Sequence, residues 1–324
     1  MAKQSATATN PVRARRQHLA AKVRRLGAAI QAHPLRWLMG VLLFTLINGY
    51  IIYVLYRDRE QFAAIDWSHF SPGWLVVSSL VQFAGLLTAL LGWRYVLYQF
   101  GYRISFRRHF KIYTLSNLAK KLPGAVWHIV GRTYMYRQDG GNEIQVSVTT
   151  VSEIVVFGLA GVIVAFLMML MPSSPPIEMP VWVMGGVLLL VAMLVPSPLF
   201  RRALNWLNRG SDAPFQLRWQ HLAVWLAINI VTIALGGVTL FCFAYAMGRV
   251  DYGALVGLTQ GWALLVAVGT LFAWIPGGGN LLFGVMMVFL TTMMPAPEAL
   301  VLLVAWRLWT TLNEVVWGGI GFVL

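Results

Sequence analysis

The sequence has one cysteine, few acidic side chains and no recognisable catalytic motif. Cys242 is the only cysteine among 324 residues, so one chain can form neither a disulfide nor a cysteine metal site. The six histidines are scattered without HExxH spacing, and no GxSxG elbow, Walker A loop or dinucleotide fingerprint occurs. We therefore predict no metal, no cofactor and no catalytic residue, and an enzyme is the less favoured class.

Long apolar runs dominate what is present. Apolar residues make up 58% of the chain and charged residues 11%, with a mean hydropathy of +0.68. Runs of about 20 apolar residues recur, each long enough to cross a hydrocarbon core of about 30 Å. The sequence predicts an all-α polytopic membrane protein with spans at 35–56, 73–98, 146–171, 181–195, 221–247 and 299–324. Residues 254–294 form either two further crossings or one re-entrant hairpin. The total is then about six spans plus two re-entrant hairpins, or seven to eight spans.

The net charge of +14 is distributed unevenly. Basic residues concentrate on one side of the predicted topology, in 1–36, 94–137 and 201–218. The other side carries few, in 57–72, 172–180 and 248–253. Because cytoplasmic loops are enriched in lysine and arginine, we expect both termini in the cytoplasm and the protein in the cytoplasmic (inner) membrane. Basic loops facing an anionic leaflet explain the charge, so nucleic acid is not an expected partner.

Two regions are expected. Residues 1–34 form a cytoplasmic tail that carries a basic amphipathic helix. Residues 35–324 form a single transmembrane domain, whose first span, 35–56, is read as a retained signal anchor because no cleavage site follows it.

Two Pro-Gly sequences interrupt the apolar pattern. Proline removes a helical donor and disfavours helical dihedrals in the residue before it, so short helices should meet at each break. Around each break the order is span, span, break, span, which suggests an inverted repeat with halves 35–171 and 180–324. In transporters, inverted repeats with broken helices bind ligands at the helix ends. The break residues are Pro123, Gly124, Pro276, Gly277 and Gly278.

Polar side chains lie next to these breaks and inside the spans. Lysine and arginine beside the first break could neutralise a lipid phosphate, or could only satisfy the positive-inside rule. Charges inside spans should face the bundle interior and be paired, either along a lipid path or in a structural ion-pair cluster. Trp127 is read first as a packing residue and His128 as a hydrogen-bonding one. The candidate lipid-binding residues are Asn117, Lys120, Lys121, Trp127, His128, Arg132, Glu153, Asn280, Arg307 and Glu314.

These residues resemble a known family, the lysylphosphatidylglycerol synthase transmembrane region, also called flippase-like. The first family signature is matched by Asn117, Leu122, Pro123, Gly124, Arg132 and Glu153, and the second by Pro276, Gly277, Gly278, Arg307 and Glu314. The family often continues its second signature with an Arg-Glu pair, and Leu282 and Phe283 stand there in this chain. Asn280 replaces a glycine. The aminoacyl-transferase domain of full synthases is missing, so synthase activity is not inferred.

The resemblance implies a membrane lipid translocase that moves a polar- or phosphate-headgroup lipid between leaflets. Expected partners are membrane lipids of anionic, aminoacylated or polyprenyl-phosphate type. One alternative is a non-transporting accessory subunit that docks an enzyme of lipid or glycan assembly. A second alternative is a membrane transferase without a recognisable motif.

Overall fold

The computed structural model describes residue 56 and residues 70–119, 127–171, 218–272 and 278–324. Within these residues every regular element is a helix, which confirms the all-α prediction. Two predicted spans, 35–56 and 181–195, lie outside the described residues apart from Tyr56, and so does the predicted amphipathic helix in 1–34. The helices that the structure describes are α1 (Pro72–Gln99), α2 (Phe106–Leu118), α3 (Trp127–Gln138), α4 (Glu143–Met169), α5 (Trp219–Ala246), α6 (Ala254–Phe272), α7 (Gly278–Thr291) and α8 (Ala296–Val323).

Four of these helices are long and apolar enough to cross a membrane: α1, α4, α5 and α8. Each has 27 or 28 residues. At 1.5 Å per residue each is about 40 Å long, more than the roughly 30 Å of a hydrocarbon core. The four helices correspond to the spans predicted at 73–98, 146–171, 221–247 and 299–324.

Local sequence signals set the helix boundaries. Pro72 occupies the first turn of α1, where its missing N–H removes no helical hydrogen bond. The Asn142 side chain caps α4 by accepting from the backbone N–H of Ile144 at 2.9 Å. Gly140, with φ of +80°, reverses the chain after α3 in a conformation that favours glycine.

Helices α2 and α3 form an antiparallel hairpin. Arg108, near the start of α2, bonds to Asp139 just after α3 at 2.8 Å. Ser116, near the end of α2, bonds to Arg132 at 3.1 Å. With 13 and 12 residues, these helices are each about 18–20 Å long, roughly half the length of the four spans.

Helices α6 and α7 form a second antiparallel hairpin. Gly261, in the first half of α6, lies against the ring of Phe289 near the end of α7. Gly269, near the end of α6, lies beside Leu282 at the start of α7. The second Pro-Gly sequence lies between α6 and α7 in the chain.

The two hairpins enter the bundle from opposite ends. Helices α1 and α5 run antiparallel, because the Ser78 hydroxyl donates to the Thr239 carbonyl at 3.1 Å in one half of α1 and Gly92 packs against Trp225 in the other. The α2–α3 hairpin begins just after α1 ends, and the α6–α7 hairpin begins just after α5 ends. Since α1 and α5 end at opposite ends of the bundle, the hairpins approach each other from the two sides.

Each hairpin also packs against the long helix that closes the other half. Helix α2 runs antiparallel to α8, with Gly318 against Leu118. Helix α4 likewise runs antiparallel to α6, with Gly158 against Thr270. In both pairs a glycine lets the backbones approach closely, as is usual where helices pack in membranes.

Candidate functional site

Arg132 and Glu153 form an ion pair inside the bundle. The Arg132 Nη1 lies 2.5 Å from Glu153 Oε2, and the two side chains are 0% and 5% exposed. Arg132 comes from α3, on the first hairpin. Glu153 lies ten residues after the start of α4, which is about 15 Å along this helix of about 40 Å. The pair therefore lies well inside one of the long apolar helices.

Hydrogen bonds and aromatic rings surround the Arg132 guanidinium. Its Nε donates to the Ser116 hydroxyl at 3.1 Å and its Nη2 donates to the Asn117 side-chain oxygen at 3.2 Å. The guanidinium carbon lies 4.3 Å from the ring centre of Trp93 and 4.5 Å from that of Tyr113. Two aromatic faces attract the cation, and three oxygens accept its N–H groups.

The glutamate is satisfied on both oxygens. Glu153 Oε1 accepts the Tyr113 hydroxyl at 3.1 Å, while Oε2 accepts from Arg132. A buried charge is tolerated when it is paired and its remaining hydrogen-bonding capacity is used. The site is therefore closed and electrically neutral in this conformation.

A second polar cluster continues from this pair toward the end of the bundle where α1 ends. The Trp93 indole N–H donates to the Tyr136 hydroxyl at 2.8 Å, and Tyr136 lies 2.7 Å from His109 Nδ1. His109, Tyr136 and Trp93 are all buried. Trp93 joins the two clusters, because its ring packs against the Arg132 guanidinium and its N–H donates to Tyr136.

His109 lies outside the four spans, in the first turn of the first hairpin. Burial and, to a smaller extent, the nearby charge of Arg94 lower the pKa of His109 to about 4, with the charge of Asp139 acting in the opposite direction. The imidazole is therefore neutral at pH 7. Its Nε2 is buried and has no hydrogen-bond partner in the part of the chain that the structure describes.

The charges of the second half are arranged differently. Arg307 on α8 is exposed, with its guanidinium 5.9 Å from the ring of Phe283 on α7. Glu314, two turns further on, is half-buried. Between them, Asn313 joins α8 to α1: it accepts from Ser79 at 2.9 Å and donates to Gln82 at 2.9 Å.

The structure brings together three of the predicted site residues, Asn117, Arg132 and Glu153. Glu153 pairs with Arg132, as a charge inside a span was expected to be paired, whereas Arg307, which was expected to face the bundle interior, is exposed beside Phe283. Other predicted residues lie at the start of a helix: half-buried Trp127 and buried His128 on α3, and Asn280 on α7. Gly278 is the first residue of α7. The predicted residues outside the described part of the chain are Lys120, Lys121, Pro123, Gly124, Pro276 and Gly277.

Sequence reasoning missed the aromatic and hydroxyl partners of the ion pair. Tyr113, Ser116 and Asn117 are spaced three and four residues apart, so they share one face of α2. That spacing beside a charged break was a usable signal. Trp93 carried none, because its contact with Arg132 joins two elements that are distant in sequence.

Among the described residues no group of three histidine, cysteine, aspartate or glutamate side chains is placed to hold a metal ion. The polar chemistry of the site is that of an arginine and a carboxylate with hydroxyl and amide neighbours. Such groups bind and exchange anionic partners.

These features define a multi-pass helical membrane protein with an ion pair buried between a short hairpin and a long apolar helix. Residues 37–318 match the family model described as Lysylphosphatidylglycerol synthase TM region, which covers most of the chain. The chain belongs to this family. The match is to the transmembrane region of the family, as the sequence motifs predicted. No curated protein matches the chain.

Proposed function

We propose that this chain is an inner-membrane lipid translocase that moves a lipid with a polar or phosphate-bearing headgroup between leaflets. The observation that carries the proposal is the buried Arg132–Glu153 pair, which joins α4 to a hairpin that reaches about halfway along the bundle. Membership of the family supports a membrane module that handles lipids.

The topology in this proposal follows from charge. Arg94, Arg107 and Lys111 cluster at the end of the bundle where α1 ends, while Asp251 and Glu298 lie at the other end. The positive-inside rule then orients the first end and the C-terminus of α8 toward the cytoplasm. The α2–α3 and α6–α7 hairpins become re-entrant elements from opposite leaflets, and the two halves form an inverted repeat.

The ion pair supplies a physical reason for coupling lipid binding to movement. Separating a buried pair without a replacement leaves an unpaired charge, at a cost of about 3–5 kcal/mol. A phosphate headgroup can replace Glu153 as the partner of Arg132, since arginine binds phosphate and carboxylate with the same two-pronged geometry. The hairpin and α4 then separate when a headgroup is present, and they stay closed otherwise.

The other candidate residues extend this path. Lys120 and Lys121 at the first break attract the phosphate electrostatically. Exposed Arg307 and half-buried Glu314 extend the path along the surface of α8 that faces α7. We expect facilitated or ion-coupled movement, driven by the lipid gradient or by an ion.

The test is lipid exchange in proteoliposomes with fluorescent anionic, aminoacylated and polyprenyl-phosphate lipids. The informative variant is the double change Arg132→Met with Glu153→Gln, which removes both charges and so leaves no unpaired one. We expect it to fold and to lose lipid exchange, as we expect of Arg307→Ala. The control is Arg137→Gln, which changes an exposed arginine at the end of α3. This variant should exchange lipid at the wild-type rate.

The outcomes separate the candidate functions. Wild-type exchange that survives in the charge-free double variant would contradict the role given to the ion pair. No exchange with any lipid of the panel would favour the accessory subunit, for which a co-purifying enzyme is the next measurement. The closed, fully bonded state of Arg132 is the observation that favours this alternative. A new lipid product would indicate a transferase.

A further inference from the structure

His109 carries a buried donor that the rest of the site does not use. The Trp93 indole can only donate, so the Tyr136 oxygen accepts from it. The Tyr136 hydroxyl proton then has His109 Nδ1 as its acceptor, at 2.7 Å. A neutral imidazole with an accepting Nδ1 has its proton on Nε2. His109 is 1% exposed, and that Nε2–H lacks an acceptor among the described residues.

A cation without an ion-pair partner among the described residues lies near His109: the guanidinium of Arg94 stands over the ring of Phe106, one turn before His109 on α2. Arg94 follows Trp93 on α1, and its charge is close enough to influence His109. No carboxylate of the described residues forms an ion pair with Arg94, whose guanidinium instead lies 5.9 Å from the ring centre of Phe106. Asp139, an acid whose charge also acts on His109, is already engaged by Arg108 at 2.8 Å. A buried N–H without an acceptor is costly, and a neighbouring unpaired arginine calls for the same kind of partner.

The backbone around these two groups favours an anion. Helix α2 begins at Phe106, and the Ser105 hydroxyl caps it by accepting from the Arg108 N–H at 3.3 Å. The amides of Phe106 and Arg107 and the positive end of the helix dipole remain at this terminus. Helix N-termini of this kind bind phosphate readily. Arg103 and Arg107 add positive charge at the same turn of the chain.

We infer that Arg94 and His109 form a binding site for a phosphate oxyanion where α1 ends and α2 begins. One phosphate oxygen accepts from His109 Nε2 after the Arg94 side chain moves off the Phe106 ring, and Arg94 binds a second oxygen. The phosphate is that of a lipid headgroup or of free inorganic phosphate. The site is separate from the Arg132–Glu153 pair and does not depend on lipid translocation.

Two probes distinguish the sources: inorganic phosphate and short-chain dihexanoyl-phosphatidylglycerol, each titrated into the full chain in an uncharged detergent. We expect saturable binding of at least one probe, weakened roughly tenfold by Arg94→Gln and by His109→Phe, because each removes one donor to a charged acceptor. Binding of both probes identifies the oxyanion alone as the ligand. Binding of the lipid only identifies a headgroup phosphodiester.

The matched control is Arg137→Gln, an exposed arginine at the same end of the bundle that is paired with Glu143. It should change the affinity less than about twofold, because exposed ion pairs contribute little. An equal loss in Arg137→Gln, unchanged affinity in Arg94→Gln, or no saturable binding of either probe would overturn the inference. If His109→Phe fails to fold, Arg94→Gln decides the outcome. Histidine ¹⁵N resonances of His109 should also shift on binding in the wild type, and the same shift should require roughly tenfold more probe in Arg94→Gln.

Discussion

The strongest prediction concerns the stability of the Arg132–Glu153 pair. Arg132→Met leaves the Glu153 carboxylate with only the Tyr113 hydroxyl, and Glu153→Gln leaves a fully buried guanidinium with neutral acceptors alone. Each single change should lower the unfolding free energy by about 3–5 kcal/mol, the usual cost of stranding one buried charge. The double change strands no charge and should remain within about 2 kcal/mol of the wild type.

A double-mutant cycle measures the difference. Unfolding free energies from SDS titration in mixed micelles, for the wild type, both single variants and the double variant, should give a coupling energy of at least about 3 kcal/mol. The chain offers a matched control in Arg137–Glu143, which has the same 2.5 Å distance but side chains 60% and 48% exposed. Its cycle should give less than about 1 kcal/mol.

The comparison of the two pairs isolates burial as the cause. Both have the same charge types and the same separation, so any difference in coupling comes from the surroundings. A coupling below about 1 kcal/mol at Arg132–Glu153 would refute the reasoning, because a desolvated pair cannot behave like a solvated one. It would also remove the basis for a hairpin that opens only when a headgroup replaces Glu153.

Three further predictions follow. Gly161→Ala should destabilise the protein by about 1–3 kcal/mol in thermal unfolding, because its Cβ would meet Ala263 O at 2.7 Å, whereas Gly284→Ala, with open space around it, should not. In a cysteine-free background, a membrane-impermeant maleimide should label Tyr252→Cys in intact cells and Gln138→Cys only after permeabilisation; labelling of both from one side would contradict opposed hairpins. The pKa of His109 is lowered to about 4 in the folded state, so the unfolded chain takes up the proton first as the pH falls below 6.5. In a buffer without phosphate, the free energy of unfolding should therefore fall by up to about 3 kcal/mol between pH 6.5 and pH 4. A free energy of unfolding that does not change over this range would contradict the buried neutral imidazole.

The spans were predictable because their signal is local. About 20 consecutive apolar residues leave no other stable arrangement, and the structure places α1, α4, α5 and α8 where the hydropathy pattern predicted them. Two short helices, one before and one after Pro123, were predictable for the same reason, since proline acts on its own helix. Helices α2 and α3 lie on either side of it, as expected.

The partners within the site could not be predicted, because they depend on tertiary packing. The sequence indicated that Arg132 and Glu153 each need a partner. Charge alone could not decide whether Arg132 pairs with Glu153 or with a ligand, or whether Glu153 pairs with Arg132 or with Arg307. The choice follows from the antiparallel packing of the hairpin on α4, which brings Arg132 to Glu153. The same packing leaves Arg307 on the outer side of α8, beside an aromatic ring.

A comparison of the two halves shows where the proposed repeat has diverged. Pro276 follows Pro123 by 153 residues (276 minus 123), and the same spacing separates Gly131 from Gly284 and the start of α4 from the start of α8. At this spacing Arg132 corresponds to Val285.

Glu153 correspondingly matches Trp306, which packs against Phe243 and Trp262 in an apolar cluster. The first hairpin is therefore held to its long helix by a charge pair, and the second by aromatic packing. A charge pair can be exchanged for an anionic ligand, whereas aromatic packing has no such replacement. In the proposed translocase the first hairpin is accordingly the one that responds to the headgroup, and the second provides the fixed surface against which it moves.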